Sequence, residues 1–203
     1  NILIVDGFAT GNQYAAAARA RGLVPFHITS GLEKTSSLPA EFMDKYIAGQ
    51  IAGKYEKCFV MPPTLEEAVQ LLKKYHFAAV IPGTESGVIA AEQIAHRLGL
   101  PVNNPALLYA RRDKYLMQKA LQEAGLAHID CVLTDNVETA VQWFKKSGHR
   151  RIIIKPPCSA GTDGVKSCAS EAEIRAYFEH CYLNRYDGIG AFNKALLLQP
   201  YVE

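Results

Sequence analysis

The sequence contains no apolar run approaching the ~20 residues that a membrane-spanning helix needs, and no pattern of a secretory leader. Charge of one sign is also lacking. The formal net charge is +2, too small for the basic surface that binds nucleic acid or an anionic membrane. The five cysteines (Cys58, Cys131, Cys158, Cys168, Cys181) are odd in number and widely spaced, with no C-x-x-C and no Cys/His metal spacing. A reduced, cytoplasmic protein fits this better than a disulfide scaffold. The six histidines share no spacing and read as structural or surface residues. No Ser/His/Asp or Cys/His nucleophile pattern stands out, so Cys158 reads as a small filler. Both common nucleotide fingerprints are missing: there is no G-x-x-x-x-G-K-[ST], and no G-x-G-x-x-G after the first strand. The chain opens inside a strand without Met and stops just after another, so both ends read as cut.

What is present is an alternation of short apolar runs and amphipathic segments. Residues 2–5, 24–28, 58–61 and 78–81 read as buried strands. Helices are expected over 13–21, 65–75 (capped by Thr64, with Glu66 and Glu67 in the first turn) and 87–98. The stretch between the second and third strands reads as irregular, with a short strand over 46–48. Strand–helix alternation with short links is the signature of an open parallel α/β sheet. In such sheets ligand loops lie at the C-terminal ends of strands. Two loops qualify: DGFATGN (6–12) and PGTES (82–86). Glu85 in the second could take a substrate amino group, or could simply be a solvated or capping acid.

The pattern changes after Pro101. A helical turn is expected over 105–109, then a helix to Ala124 capped by Asp113 and stopped by Gly125. A strand over 129–133 and a helix over 137–147 follow. Then comes IIIKPPCSAGTDGV, residues 152–165. Three β-branched residues make a strand, Lys155 ends it, and Ser159, Ala160, Gly161, Thr162 and Gly164 leave a backbone that an anion can approach. A lysine at the end of an apolar strand is costly unless an anion compensates it. A return strand over 165–168 completes a hairpin. A helix over 171–182, a loose segment over 187–193 and a strand over 195–202 close a small α+β unit. Asp163, an acid in an anion loop, is expected to point outward or to cap the turn.

The order of these parts carries a resemblance. GLPVNNPALLYARRDKYLMQKALQEAG opens a helix with R-D-K. A strand then ends in K-P before a small-residue loop and G-V, and a last strand ends in Q-P-Y-V-E. This resembles the ATP-grasp superfamily, in its amino-acid ligase and biotin-carboxylase-like branch, over essentially the whole chain. The fold class implied is α/β: a Rossmann-like parallel-sheet domain (1–104), a helical linker (105–128) and the small α+β nucleotide-lid subdomain of an ATP-grasp fold (129–203), incomplete at the adenine hinge.

The resemblance also implies roles. Lys114 matches the first nucleotide-contacting lysine; read alone, it is an exposed lysine in a helix's first turn. Lys155 matches the lysine that reaches the phosphates and often the adenine N7. Ser159, Ala160, Gly161, Thr162 and Gly164 match the flexible lid over the phosphates. Gln199, Pro200, Tyr201 and Val202 match the hinge that edges adenine. The Pro200 carbonyl is an acceptor for the amino group and the Val202 amide a donor to the ring. Gln199 stands where the family usually has a carboxylate. Ile154 and Leu198 are candidates to pack on the purine faces, and Glu203 to reach ribose.

The function implied is an ATP-dependent carboxylate–amine ligase working through an acylphosphate. Its partners are ATP, Mg²⁺ and small-molecule carboxylate and amine substrates of the amino-acid class, with no nucleic acid and no membrane. A homodimer is compatible with the sequence. The Mg²⁺ ligands and the catalytic residues are expected beyond Glu203, which would leave this portion inactive alone and without a metal site. The alternative is a non-catalytic nucleotide-binding or regulatory module with a grasp-like fold.

Overall fold

The computed structural model describes residues 1–31, 36–181 and 183–202. The chain divides into two units, Asn1–Leu108 and Tyr109–Glu203, each with its own main sheet and apolar core.

In the first unit the elements run β1 (Ile2–Val5), α1 (Tyr14–Arg19), β2 (Pro25–Thr29), α2 (Ala40–Ile51), β3 (Cys58–Val60), α3 (Leu65–Leu72), β4 (Ala79–Pro82) and α4 (Val88–Arg97). The four strands are parallel, in the order β3-β2-β1-β4. β1 is central, and Leu3, Ile4 and Val5 are fully buried, as a strand covered on both faces requires. Phe26, Ile28, Leu72 and Ile94 pack around them. Each such side chain contributes about 1.5–3 kcal/mol on burial. α3 begins with a complete capping box: the Thr64 hydroxyl accepts from the Glu67 N–H, and the Glu67 carboxylate accepts from the Thr64 N–H.

The expected strand over 46–48 is not there; those residues lie inside α2. The triplet Tyr-Ile-Ala is β-compatible by itself, but the helix supplies what three residues cannot. Pro39 precedes the first turn, Glu41 pairs with Lys45, Phe42 stacks on Tyr46 one turn on, and Ile47 is buried. The helix expected over 13–21 starts instead with a 3-10 turn, Ala9–Gln13.

The second unit runs α5 (Lys114–Glu123), β5 (Val132–Thr134), α6 (Val137–Ser147), β6 (Ile152–Lys155), β7 (Lys166–Cys168), α7 (Glu171–His180), β8 (Arg185–Tyr186), β9 (Phe192–Asn193) and β10 (Leu196–Pro200). Its main sheet is antiparallel, ordered β5-β10-β6-β7. The segment expected to be loose over 187–193 ends in β9, which pairs with β8 in a small separate hairpin.

The pleat sorts the sheet's residues. Ile152, Ile154, Leu196, Leu198 and Cys168 join Ala140, Val141 and Ile174 of α6 and α7 in one core. Ile153, Lys155, Leu197 and Gln199 therefore face the other way. No helix among the described residues is long and apolar enough to cross a membrane.

Candidate functional site

The second unit gathers most of the expected residues around the end of β6. Asp113 caps α5, its carboxylate accepting from the Tyr115 and Leu116 N–H groups. That cap fixes the first turn, and the first turn holds the 157–159 loop. The Lys114 N–H donates to the Pro157 carbonyl at 3.0 Å. The Lys114 ammonium donates to the carbonyls of Ser159 and Pro157 at 2.6 and 3.2 Å. The Arg112 guanidinium donates to the Cys158 carbonyl at 2.6 Å. Three consecutive carbonyls are thus gripped by two residues, Arg112 and Lys114, that flank the Asp113 cap. Sequence reasoning assigned Arg112 no contact, although it is the first residue of the R-D-K it relied on.

Lys155 ends β6, half-buried, and forms no ion pair among the described residues. Burial holds its ammonium below the usual lysine range, partly offset by the Cys131 thiol nearby. Beyond it, Gly161, Thr162 and Gly164 all have φ near +60° to +70°. For Thr162 this is an uncommon state, held by its neighbours' turns, in which the Asp163 N–H donates to the Ala160 carbonyl and the Val165 N–H to the Thr162 carbonyl. The amides of Ser159, Ala160, Gly161, Thr162 and Gly164 donate to no described residue. Among the described residues, a cation without a counter-ion therefore lies at the foot of a loop with five unclaimed N–H groups, the arrangement an anion-binding nest needs.

Asp163 does not point outward. Its carboxylate accepts from the Gly188 N–H at 3.2 Å, tying the loop tip to the turn after β8. That turn is organised by Asp187, fully buried, which accepts from the Ile189 and Ala191 N–H groups with one oxygen; among the described residues the other oxygen has no partner. Tyr177 of α7 donates to the Gly164 carbonyl. Burial, then the Asp113 charge, push the Cys158 thiol up to about 11, which disfavours its thiolate.

The hinge residues lie at the end of β10. The Tyr201 N–H donates to the Arg151 carbonyl at 3.0 Å, so odd-numbered residues of β10 bond to β6. Even-numbered ones point to the β5 side, where the ladder ends at Leu198 opposite Val132. The Pro200 carbonyl therefore projects past the end of β5. The same alternation carried past the strand puts the Val202 N–H on that side too. A proline is tolerated here because its nitrogen needs no partner. Tyr201 lies under the Arg151 guanidinium, and Val202 is 66% exposed. Ile154 and Leu198 do not face this site. Both are 0% exposed in the core against α6 and α7, and Ile153 is the β6 residue on the Lys155 face. The two-residue period of a strand contains that answer. Glu203 lies outside the described residues.

In the first unit the two expected loops sit together because β1 and β4 are parallel neighbours. Glu85 is exposed at the start of a 3-10 turn, Glu85–Gly87. The loops are in backbone contact: a Cβ on Gly11 would lie 2.5 Å from the Gly83 Cα. Asp6, at the end of β1, is fully buried and was not singled out from sequence. Its carboxylate accepts from the Ser30 N–H and hydroxyl and from the Ser86 hydroxyl, at 2.6 to 2.7 Å. Burial raises its pKa against those hydrogen bonds. Gly7 is clamped from both sides: its N–H donates to His27 Nε2 and its carbonyl accepts from the Tyr55 hydroxyl.

Among known proteins, no family model matches the chain. It is 30% identical over 203 residues to dapdiamide A synthase of Enterobacter agglomerans, covering 99% of this chain and 46% of that protein. The chain thus spans about half the length of this curated relative. Its fold is similar to the biotin carboxylase domain of Hydrogenobacter thermophilus 2-oxoglutarate carboxylase, solved with MgADP, ADP and bicarbonate. The TM-score there is 0.65, with 18% identity over all of this chain and 44% of that one. It is also similar to an L-amino acid ligase from Bacillus licheniformis, with TM-score 0.62 and 15% identity over all of this chain and 44% of that one.

Proposed function

We propose that this chain, whose fold is that of the ATP-grasp enzymes, is the nucleotide-gripping portion of an ATP-dependent carboxylate–amine ligase acting on amino acids. One observation carries the reading: among the described residues, half-buried Lys155 has no counter-ion and stands at the foot of a loop with five unclaimed amides. ATP fits that gap, because its phosphates supply the missing negative charge and the acceptors. The relatives named dapdiamide A synthase and L-amino acid ligase support the reaction class.

ATP supplies the phosphoryl group that turns a substrate carboxylate into an acylphosphate, which an amine then attacks with loss of phosphate. This chain's residues bind and orient. Lys155 and the amides of Ser159, Ala160, Gly161, Thr162 and Gly164 hold phosphate oxygens. Lys114 sets the loop's base and lies beside the same oxygens. Pro200 and Val202 offer the base a carbonyl and an N–H, while Gln199 and Tyr201 lie on the face of the sheet that carries Lys155. Glu85 is assigned to a substrate amino group. No group of three or more His, Cys, Asp or Glu among the described residues could hold a metal ion. No step is assigned to the metal. The activity is proposed for the whole protein, with these 203 residues alone giving no turnover.

The test is phosphate release by the whole protein with ATP and a panel of amino acids, alongside ATP binding by wild type and Lys155→Ala. Amino-acid-dependent phosphate release, and loss of ATP binding in the variant, are expected. ATP binding without release for any amino acid would favour the non-catalytic module. Unchanged binding by Lys155→Ala would remove the site.

A further inference from the structure

The second unit also holds a cavity of about 290 Å³ whose lining includes neither Lys155 nor the loop after it. Three pieces of chain wall it: the second half of α5, the segment 128–131 that runs into β5, and Trp143 of α6. One hydrogen bond ties the first two together. Gln118, 8% exposed, accepts the Ile129 N–H with Oε1 at 2.7 Å. That bond fixes the carboxamide, whose Nε2 donates to no described residue. Beside it, Lys119 forms no ion pair among the described residues. Its ammonium lies 5.9 Å from the Tyr115 ring centroid. The Asp130 carboxylate is exposed, and its one ion-pair partner among the described residues is the His128 imidazole, 3.8 Å away. Trp143 is half-buried and packs against the core of the unit. A cation, an amide donor, a carboxylate and a flat apolar wall thus surround one small space.

We propose that this cavity is a binding site for an apolar α-amino acid. The ligand carboxylate meets the Lys119 ammonium and Gln118 Nε2, the ligand ammonium meets Asp130, and the side chain lies on Trp143 and Ile129. A zwitterion carries both charges on one carbon, so it answers a lysine and an aspartate across a small space. Its apolar side chain takes the exposed part of the Trp143 ring out of water. The volume is at the small end for ligand pockets, which suits an amino acid better than a nucleotide. A phosphate dianion would also face the Asp130 charge. Cys131 is part of the wall, and its thiol senses both the Lys119 and the Lys155 ammonium. A charged ligand here is therefore coupled to Lys155, and amino-acid binding regulates ATP affinity. Only this coupling rests on the nucleotide reading; the cavity stands without it.

The experiment is calorimetric titration of the whole protein with L-phenylalanine and L-leucine, as wild type, Lys119→Met, Asp130→Asn and Lys155→Ala. Lys119 and Asp130 are exposed, so neither substitution disturbs the core. Each should weaken amino-acid binding about tenfold, the worth of one charge-assisted hydrogen bond. Wild type should bind 3-phenylpropanoate, which lacks the ammonium, about tenfold more weakly than L-phenylalanine, and Asp130→Asn should not weaken it further. Lys155→Ala should bind the amino acids as wild type does while losing ATP. In wild type the change in ATP affinity should level off as the cavity fills. Absence of binding by both amino acids would overturn the proposal. Binding indifferent to Lys119→Met and Asp130→Asn would do the same, because the ligand would then sit at a substrate subsite. A loss of ATP affinity that keeps growing in proportion to amino acid would place the ligand in the nucleotide site and overturn it too. Absence of ATP binding, with amino-acid binding still dependent on Lys119, would overturn the nucleotide reading and the coupling but uphold the cavity.

Discussion

The Lys114 ammonium donates to the Ser159 carbonyl at 2.6 Å, across a sequence separation of 45 residues. A residue expected to touch phosphate is thus engaged with the loop that would cover phosphate. The two roles are compatible, because a carbonyl is a neutral acceptor and a phosphate oxygen a charged one, which binds an ammonium more strongly. Lys114→Met should free the Pro157 and Ser159 carbonyls. Amide exchange over residues 157–161 should quicken, with a stability loss of about 1 kcal/mol. Unaltered exchange there would show that the backbone contact from the Lys114 N–H suffices.

Lys155 gives the site a pH signature. Burial lowers its pKa from the usual 10.5. The charged form, which holds phosphate, is therefore lost at a lower pH than for a solvated lysine. ATP affinity should fall on the alkaline side before pH 10.5, and Lys155→Arg should remove the fall, since a guanidinium stays charged. An identical alkaline profile in both proteins would assign the titration elsewhere.

Asp163 predicts a different effect. Its bond to the Gly188 N–H anchors the loop tip, so Asp163→Ala should release it. Limited proteolysis at residues 160–165 should accelerate while global stability drops by no more than about 1 kcal/mol, because the bond is local and partly solvated. Cleavage at the wild-type rate would leave Tyr177, through the Gly164 carbonyl, as the anchor.

The sequence made some of this legible and hid the rest for physical reasons. Thr64 with Glu67, and Asp113 before α5, were readable because a cap is satisfied within three residues. The parallel sheet was readable because the apolar run of β1 and the strands after it alternate with helices across short links. α2 was not: its support comes from pairs four residues apart, which a three-residue window misses. Ile153 could have been placed on the Lys155 face by strand period alone. The place of the Pro200 carbonyl past the end of β5 could not, because it depends on β10 lying between β5 and β6, the order least available from sequence. Asp6 is recognised only once Ser30 and Ser86 arrive from the loops after β2 and β4.

His27 makes the first unit acid-sensitive. The ring is fully buried, and Nε2 accepts from the Gly7 N–H. Burial lowers its pKa from 6.5 to about 4. Between those values the unfolded chain binds a proton that the folded one refuses. Stability from this group is full above pH 6.5 and declines as pH falls to about 4, by roughly 3 kcal/mol in all. Asp6, with its pKa raised, acts oppositely: its contribution is present at low pH and lost as pH rises through its folded value. Comparing wild type with His27→Gln cancels that term. Denaturant unfolding at pH 4.5 and 7 should show a larger loss on acidification in wild type (about 3 kcal/mol more at the limit). Equal losses would mean that His27 is not the sensor.

The glycines at the ends of β1 and β4 are there for space rather than for flexibility. An added Cβ on Gly83 would sit 2.4 Å from the Asp6 carbonyl oxygen, and one on Gly11 would sit 2.5 Å from the Gly83 Cα. Neither neighbour is a side chain that can swing aside; both are backbone. The two loops must therefore separate to admit one methyl group. Separation would pull on Asp6, whose carboxylate is held by Ser30 and Ser86, so the strain spreads to β2 and the Glu85 turn. Gly11→Ala and Gly83→Ala should each cost about 3 kcal/mol or more. The double substitution should cost less than the sum, because once the loops have parted the second methyl finds room. Additive losses in a double-mutant cycle would show that the two positions strain the backbone independently, and that the loops do not move as one.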